Sequence, residues 1–105
     1  MTESEFNQLS DAAFRRLEAA LEAVDGEADF ELAAGNVLEI DCPQGKIIVN
    51  RQPSMQEIWV AARSGGFHYR FAEGVWRDTR DGSELFASLA KMVAAQGGGT
   101  LELAD

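Results

Sequence analysis

The chain has 105 residues, of which 46% are hydrophobic and 26% charged, and its formal net charge is −9. This length and mix predict one globular domain over residues 1–105, and the acidic balance excludes nucleic acid and anionic membranes as natural partners. The single cysteine, Cys42, excludes an internal disulfide and a cysteine-based zinc site, and no apolar run is long enough to span a bilayer.

An amphipathic helix is predicted from about residue 4 to residue 24, because apolar residues recur there at intervals of three and four. Thr2 and Glu5 have the spacing of a capping box at its start. Asp25-Gly26 is a helix stop signal. The apolar stripe consists of Phe6, Leu9, Ala13, Leu17, Ala20 and Val24.

The pattern then changes to a period of two, which predicts strands joined by short turns and therefore antiparallel pairing. The strands are predicted at residues 29–32, 38–41, 46–52, 57–63, 67–71 and 75–77. The turns are predicted at residues 35–36, 43–45, 65–66 and 73–74, which contain Gly or Pro.

A second helix follows, with Asp81 or Ser83 as its predicted cap and a stop at residues 97–99. Its apolar stripe consists of Leu85, Phe86, Leu89, Met92 and Val93. Two helices with one apolar stripe each need a common surface. We therefore predict an α+β fold, a two-layer α-β-α sandwich with both helices on one face of an antiparallel sheet of five to six strands. The other sheet face is left to solvent or to a partner.

Carboxylates crowd the first part of the chain. Residues 1–42 hold eleven acids and two bases, whereas residues 43–105 hold seven of each. On a helical wheel, four acids of the first helix lie within about 60° of one another: Asp11, Glu18, Glu22 and Asp25. The next three acids, Glu27, Asp29 and Glu31, have the period-two spacing of one strand face. We call this set the acidic ridge: Asp11, Glu18, Glu22, Asp25, Glu27, Asp29 and Glu31.

Crowding like charges costs stability, which favours a role in holding cations or meeting a basic partner. An all-oxygen ligand set suits Fe, Mn, Ca or Mg. A solvated face that keeps an acidic protein in solution has the same pattern, so that alternative stays open.

Trp59 is the second candidate. If Ile58 and Val60 face the helices, Trp59 stands on the open sheet face, as do His68 and Arg70 on the next strand. A Trp beside an Arg is typical of an interaction hot spot, although a Trp can also simply cover sheet surface. His68 has no visible catalytic partner, and the sequence has no nucleophile elbow, glycine-rich phosphate loop or HExxH motif.

Several segments together form a distinctive pattern. They are Ile48-Val49-Asn50-Arg51-Gln52-Pro53, Glu57-Ile58-Trp59-Val60-Ala61, Gly65-Gly66-Phe67-His68-Tyr69, Trp76-Arg77-Asp78, Ser4-Glu5-Phe6 and Asp25-Gly26-Glu27-Ala28-Asp29. In this order they resemble the frataxin family, most of all its bacterial members, and the resemblance runs from about residue 4 to residue 96.

The resemblance implies a frataxin-like fold and a non-enzymatic role in iron–sulfur cluster assembly in the bacterial cytoplasm. It implies a regulator of the cysteine desulfurase and scaffold complex that also donates iron, an iron chaperone, acting as a monomer or as an iron-dependent oligomer. The absence of a basic or apolar leader in the N-terminal segment agrees with the cytoplasmic setting.

The resemblance also implies site residues. Weak binding of Fe²⁺ and Fe³⁺ is implied for the acidic ridge at Glu18, Glu22, Asp25, Glu27, Asp29 and Glu31. Docking of the desulfurase and scaffold is implied for Glu18, Glu22, Asp25, Asn50, Arg51, Gln52 and Trp59. A purely protein–protein module with incidental cation binding is the alternative. A ferroxidase ranks last, because no helical Glu-x-x-His motif is present.

Overall fold

The structure is a computed structural model, and it describes residues 1–24, 26–34 and 36–102. Over these ranges, two helices flank six strands. The elements are α1 (Glu3–Glu22), β1 (Asp29–Ala33), β2 (Val37–Cys42), β3 (Gly45–Gln52), β4 (Glu57–Ala62), β5 (Gly65–Ala72), β6 (Val75–Asp78) and α2 (Leu85–Ala95). The predicted α+β sandwich is confirmed.

The strands form one antiparallel sheet in chain order, β1-β2-β3-β4-β5-β6, across the described ranges. Leu38 lies opposite Val49, which lies opposite Val60, and Val60 lies opposite Phe67. Directly opposed residues share a face, so this row runs across the sheet on the side that packs against the helices. These side chains are buried or partly buried against the core.

Helix α1 begins with the predicted capping box. The Glu5 N–H donates to Thr2 Oγ1 at 3.0 Å, and the Thr2 N–H donates to Glu5 Oε1 at 3.0 Å. Near this end, Phe6 is fully buried and meets the Trp76 ring edge-to-face, with the ring centroids 5.9 Å apart. The start of α1 is thereby fixed to β6 through aromatic packing, which also contributes about 0.5–1.5 kcal/mol beyond area burial.

Helix α2 buries all five residues of its predicted stripe, and Leu101 of the following segment is 5% exposed and belongs to the core. The segment after α2 therefore packs back onto the core at Leu101, and residues 103–105 lie outside the described ranges. Cys42, at the end of β2, is partly buried against the core, and burial, followed by the Asp41 charge, raises the pKa of its thiol.

Two local predictions are wrong. The cap of α2 is Glu84, whose carboxylate accepts hydrogen bonds from the N–H groups of Phe86 at 2.7 Å and Ala87 at 3.0 Å. The carboxylate of Asp81 instead accepts the Ser83 N–H at 2.9 Å, so it closes the preceding turn.

The turn between β4 and β5 is also shifted. It is formed by residues 63–64 and not by Gly65-Gly66, because Gly65 pairs with Ala62 and Gly66 with Ala61. The turn predicted at residues 35–36 and the helix stop at residues 25–26 each include one residue outside the described ranges. None of the described helices is both long and apolar enough to cross a membrane.

Candidate functional site

The helical part of the acidic ridge occupies the C-terminal half of α1. Glu18 is half-buried and Glu22 is exposed, and they are one turn apart. Like charges at this spacing cost about 0.2–0.5 kcal/mol, and no basic residue lies in the last turn of α1. The negative end of the helix dipole adds to this charge. This end of α1 is therefore a strongly negative surface.

Asp11 has different surroundings from the rest of the ridge. Its carboxylate forms an ion pair with Arg51, whose guanidinium also donates to Ser10 Oγ at 3.2 Å and lies 4.4 Å from the centre of the Phe14 ring. The Arg51 side chain is only 13% exposed. A carboxylate neutralised by a buried guanidinium is a poor cation ligand, so Asp11 serves α1 packing in the structure.

Arg51 does not share a sheet face with the other β3 and β4 residues that were predicted to bind the partner. Arg51 lies opposite the buried Ile58, so it faces the helices. Asn50 lies opposite Trp59, and Gln52 lies opposite Glu57. Asn50 and Gln52 therefore share the open sheet face with Trp59, while Arg51 points to the other side.

The strand part of the ridge lies on the open face of β1, the edge strand. Asp29 is opposite Asp41, and Glu31 is opposite Glu39. Like charges directly across a strand pair are destabilising. Lys46 offsets part of this repulsion, with its Nζ 2.8 Å from Glu39 Oε1 and 3.6 Å from Asp41 Oδ1.

The pKa of Lys46 is raised by its hydrogen bond to Glu39 and by the charge of Asp41. Glu39 and Asp41 extend the negative surface, yet neither was placed in the acidic ridge. Their alternation with Leu38 and Ile40 was the signal that could have found them.

The ridge therefore consists of separate groups around the β1 edge. Its helical acids lie in the helix layer, its strand acids lie on the open sheet face, and Glu27 is exposed between them. Asp25 lies outside the described residues. In the part of the chain that is described, no three His, Cys, Asp or Glu side chains come together as a metal-binding group. Separate exposed carboxylates offer weak, exchangeable cation binding.

The segment between α1 and β1 is held by the end of α2. The Ala28 N–H donates to the Gly98 carbonyl at 3.1 Å. A Cβ atom on Gly26 would lie 2.5 Å from that carbonyl oxygen and 2.6 Å from the Cα of Gly99. Only a glycine allows this approach of two backbones. The position of the ridge between its helix and its strand thus depends on the glycines after α2.

The open face around Trp59 is an ordered set of side chains. Trp59 is half-exposed and lies between Asn50 and His68 in the strand register. Its indole stacks on the His68 imidazole, with the ring centroids 4.3 Å apart and the planes 7° apart. His68 and Arg70 are exposed on the same face. The side of the sheet predicted for these three residues is confirmed.

Glu57 organises this face, although the sequence did not single it out. It is 3% exposed, and its Oε1 accepts the Trp59 Nε1–H at 2.8 Å while its Oε2 accepts from Arg70 at 2.6 Å. His68 Nδ1 lies 3.6 Å from Oε1. Desolvation raises the pKa of Glu57, but the hydrogen bonds from Trp59 and Arg70, with the Arg70 and His68 charges, outweigh it and lower the pKa. Glu57 is therefore an ionised carboxylate at neutral pH.

Comparison with known proteins places these features in a family. The sequence model described as the Frataxin-like domain matches residues 1–99. The chain belongs to the frataxin family.

Two similar frataxin-family relatives are proteins of Dechloromonas aromatica and Paraburkholderia phymatum, each named iron-sulfur cluster assembly protein CyaY. The first is 52% identical over 98% of this chain and 99% of the relative. The second is 46% identical over 99% of each.

Two solved frataxins show the same architecture. Frataxin from Psychromonas ingrahamii superposes with a TM-score of 0.92 at 29% identity and covers 100% of both chains. Trimeric frataxin from Saccharomyces cerevisiae, complexed with ferrous iron, superposes with a TM-score of 0.68 at 28% identity, over 91% of this chain and 86% of that one.

The Glu57 carboxylate gives this protein a testable pH dependence. Its pKa is below the ordinary 4.5 in the folded state. Its contribution to stability is therefore present above about pH 4.5 and is lost as the pH falls through the lower folded-state pKa. Glu57→Gln removes the charge and keeps the shape, so we expect a loss of about 1–2 kcal/mol of unfolding free energy at pH 7.

Urea denaturation of the wild-type protein and Glu57→Gln between pH 7 and pH 3.5 measures this effect. The difference between the two should shrink as the pH falls below about 4.5, because the unfolded chain then takes up a proton at Glu57 more readily than the folded protein does. A difference that stays constant across this range would show that the charge of Glu57 contributes nothing to the fold.

Proposed function

We propose that this protein acts in iron–sulfur cluster assembly in the bacterial cytoplasm. In this proposal it is a non-enzymatic monomer that regulates the cysteine desulfurase and scaffold complex and carries iron to it. The observation that supports the proposal most is the negative surface at the end of α1 and the edge of β1, on a fold that belongs to the frataxin family. The relatives named for iron-sulfur cluster assembly support the process.

Iron would be a cargo of the acidic ridge. Carboxylate oxygens are suitable ligands for Fe²⁺ and Fe³⁺, which are hard or borderline cations. The proposed ligands are Glu18, Glu22, Asp25, Glu27, Asp29 and Glu31. Their exposure favours weak and reversible binding, which suits an ion that must be handed on. The yeast frataxin complexed with ferrous iron supports iron as the cation.

Two surfaces would meet the assembly machinery. A basic surface of the desulfurase would dock onto Glu18, Glu22 and Asp25, because opposite electrostatic potentials steer association. The open sheet face, with Trp59, Asn50 and Gln52, would contact the scaffold and desulfurase assembly. A half-exposed Trp held by a charged network has the composition of an interaction hot spot.

The alternative is a protein–protein regulator for which cation binding is incidental. Two observations favour it: Asp11 is engaged by Arg51, and the described carboxylates form no group of three around a common point. Under this alternative, the negative surface exists for the desulfurase, and removal of iron leaves regulation unchanged.

Titration with Fe²⁺ without oxygen, followed by NMR of ¹⁵N-labelled protein, tests the proposal. We expect shifts or broadening of the amide signals of residues 18–31, with the signals of α2 unaffected, since α2 carries a single charged residue, Lys91. A second titration with purified desulfurase identifies the partner surface. No effect of iron on residues 18–31 would remove the cargo role. An effect of the desulfurase alone would favour the purely regulatory alternative.

A further inference from the structure

Glu57 is the one charged side chain on the described part of the open sheet face that is almost wholly shielded from water, with a side-chain exposure of 4%. Burying a carboxylate is costly unless its oxygens are paired. Both oxygens are paired here: Oε1 accepts from the Trp59 indole at 2.8 Å and Oε2 from Arg70 at 2.6 Å. The carboxylate thus joins two side chains that come from two adjacent strands.

The indole of Trp59 is restrained at two places. Its N–H is fixed by Glu57, and its ring is stacked on His68 at 4.3 Å. The Glu57 carboxylate also lies 3.6 Å from His68 Nδ1, so one buried group binds the indole directly and lies beside the imidazole on which the indole stacks. A Trp side chain held in this way has little rotational freedom to lose when a partner covers it.

We propose that Glu57 is the positioning residue of the Trp59 face: its buried carboxylate holds Trp59, His68 and Arg70 in the arrangement that a protein partner recognises. This inference rests on the proposed docking role of Trp59. It adds that the recognition surface depends on the buried charge of Glu57, which the partner does not need to contact. The partner fitted by this arrangement presents an apolar cleft for the indole, with an acidic group within reach of Arg70.

The test compares three variants. Glu57→Gln keeps an oxygen that can accept the indole N–H but loses the charge that holds Arg70. Glu57→Ala removes both contacts. Glu73→Gln is the control, because Glu73 is also a glutamate near an arginine, 3.6 Å from Arg77, but its side chain is 81% exposed. Each variant is measured in two ways: by the NMR signal and hydrogen exchange of the Trp59 indole N–H, assigned with Trp59→Phe, and by affinity for the desulfurase and scaffold complex.

We expect the indole N–H of Glu57→Ala to exchange faster and its signal to shift, with a loss of affinity of roughly three- to tenfold from the released side chain. Glu57→Gln should show an intermediate result, and Glu73→Gln should match the wild type. Glu57→Gln is nearly isosteric, so it keeps the test valid should Glu57→Ala fold poorly.

Two outcomes would overturn the inference. The first is an unchanged indole signal in both Glu57 variants. The second is a Glu57 variant whose indole N–H exchanges faster but whose affinity is unchanged, while Trp59→Ala abolishes binding. Failure of the proposed docking role is distinguishable from these outcomes. In that case Trp59→Ala binds as the wild type does, whatever the indole signal of the Glu57 variants.

Discussion

Reversal of two charges on α1, by Glu18→Lys together with Glu22→Lys, is expected to weaken binding of the cysteine desulfurase by about 100-fold or more. Each substitution replaces an attraction to a basic surface with a repulsion, and like-charge contacts across an interface cost several kcal/mol. The fold should tolerate both changes, because Glu22 is exposed and lysines near the C-terminal end of a helix are favoured by its dipole. Affinity is best measured by calorimetry at two salt concentrations.

The control for this experiment changes the net charge equally at a distance from the acidic ridge. Glu3→Lys with Glu73→Lys provides it, since Glu3 lies in the first turn of α1 and Glu73 in the turn after β5, both exposed. We expect less than about a threefold change in affinity from this pair, because it alters only the long-range electrostatic attraction that comes from the net charge of the protein. Equal losses from both pairs would attribute binding to net charge and not to the ridge. Unchanged binding of the ridge variant would remove the ridge from the desulfurase contact.

Gly26→Ala is expected to lower the unfolding free energy by about 1–3 kcal/mol, the usual cost of forcing an extra carbon into a packed site. The added Cβ would lie 2.5 Å from the Gly98 carbonyl oxygen and 2.6 Å from the Gly99 Cα, so backbone must move. The hydrogen bond from the Ala28 N–H to Gly98 would weaken with it. Urea denaturation measures the stability, and hydrogen exchange of the Ala28 amide measures the local loosening.

Gly66→Ala is the matched control for Gly26→Ala. A Cβ there would have its nearest neighbour at 4.0 Å, and like Gly26 it does not have the positive φ that favours glycine. We expect a change within about 0.5 kcal/mol, as is usual for surface substitutions. If Gly26→Ala behaved like this control, the close approach to the end of α2 would not restrain the segment that carries the ridge. Weaker Fe²⁺ binding by Gly26→Ala would link that restraint to the proposed cargo site.

Features determined by neighbours in sequence could be predicted well. The capping box of Thr2 and Glu5 follows from local spacing, and the outward direction of Trp59 follows from period-two alternation; the structure confirms both. Four of the six predicted stripe residues of α1 are buried, whereas Leu9 is only partly buried and Val24 lies beyond the end of the helix. The α2 cap could not be chosen in this way, because Asp81, Ser83 and Glu84 all have suitable side chains. Two contacts favour Glu84: its backbone forms an isolated antiparallel β-bridge with that of Arg77, and Asp81 is used in the turn that it closes with Ser83.

Features that depend on contacts between distant segments could not be predicted. The pairing of Asp11 with Arg51 joins α1 to β3, and it removes one acid from the ridge. The burial of Glu57 depends on Trp59, His68 and Arg70 from two strands in one register. Period-two alternation shows which face a residue takes, but it does not show that a charged residue on that face is covered by its neighbours.

The chain-order sheet has a consequence for how the molecule folds. Every strand pairs with the next one along the chain, so the hairpins can form from short loop closures, which are fast. The contact of Phe6 with Trp76 is different, since it joins the start of the chain to the last strand. Closing so long a loop carries a larger entropic cost. We therefore expect the hairpins to form before α1 packs against β6 and completes the core.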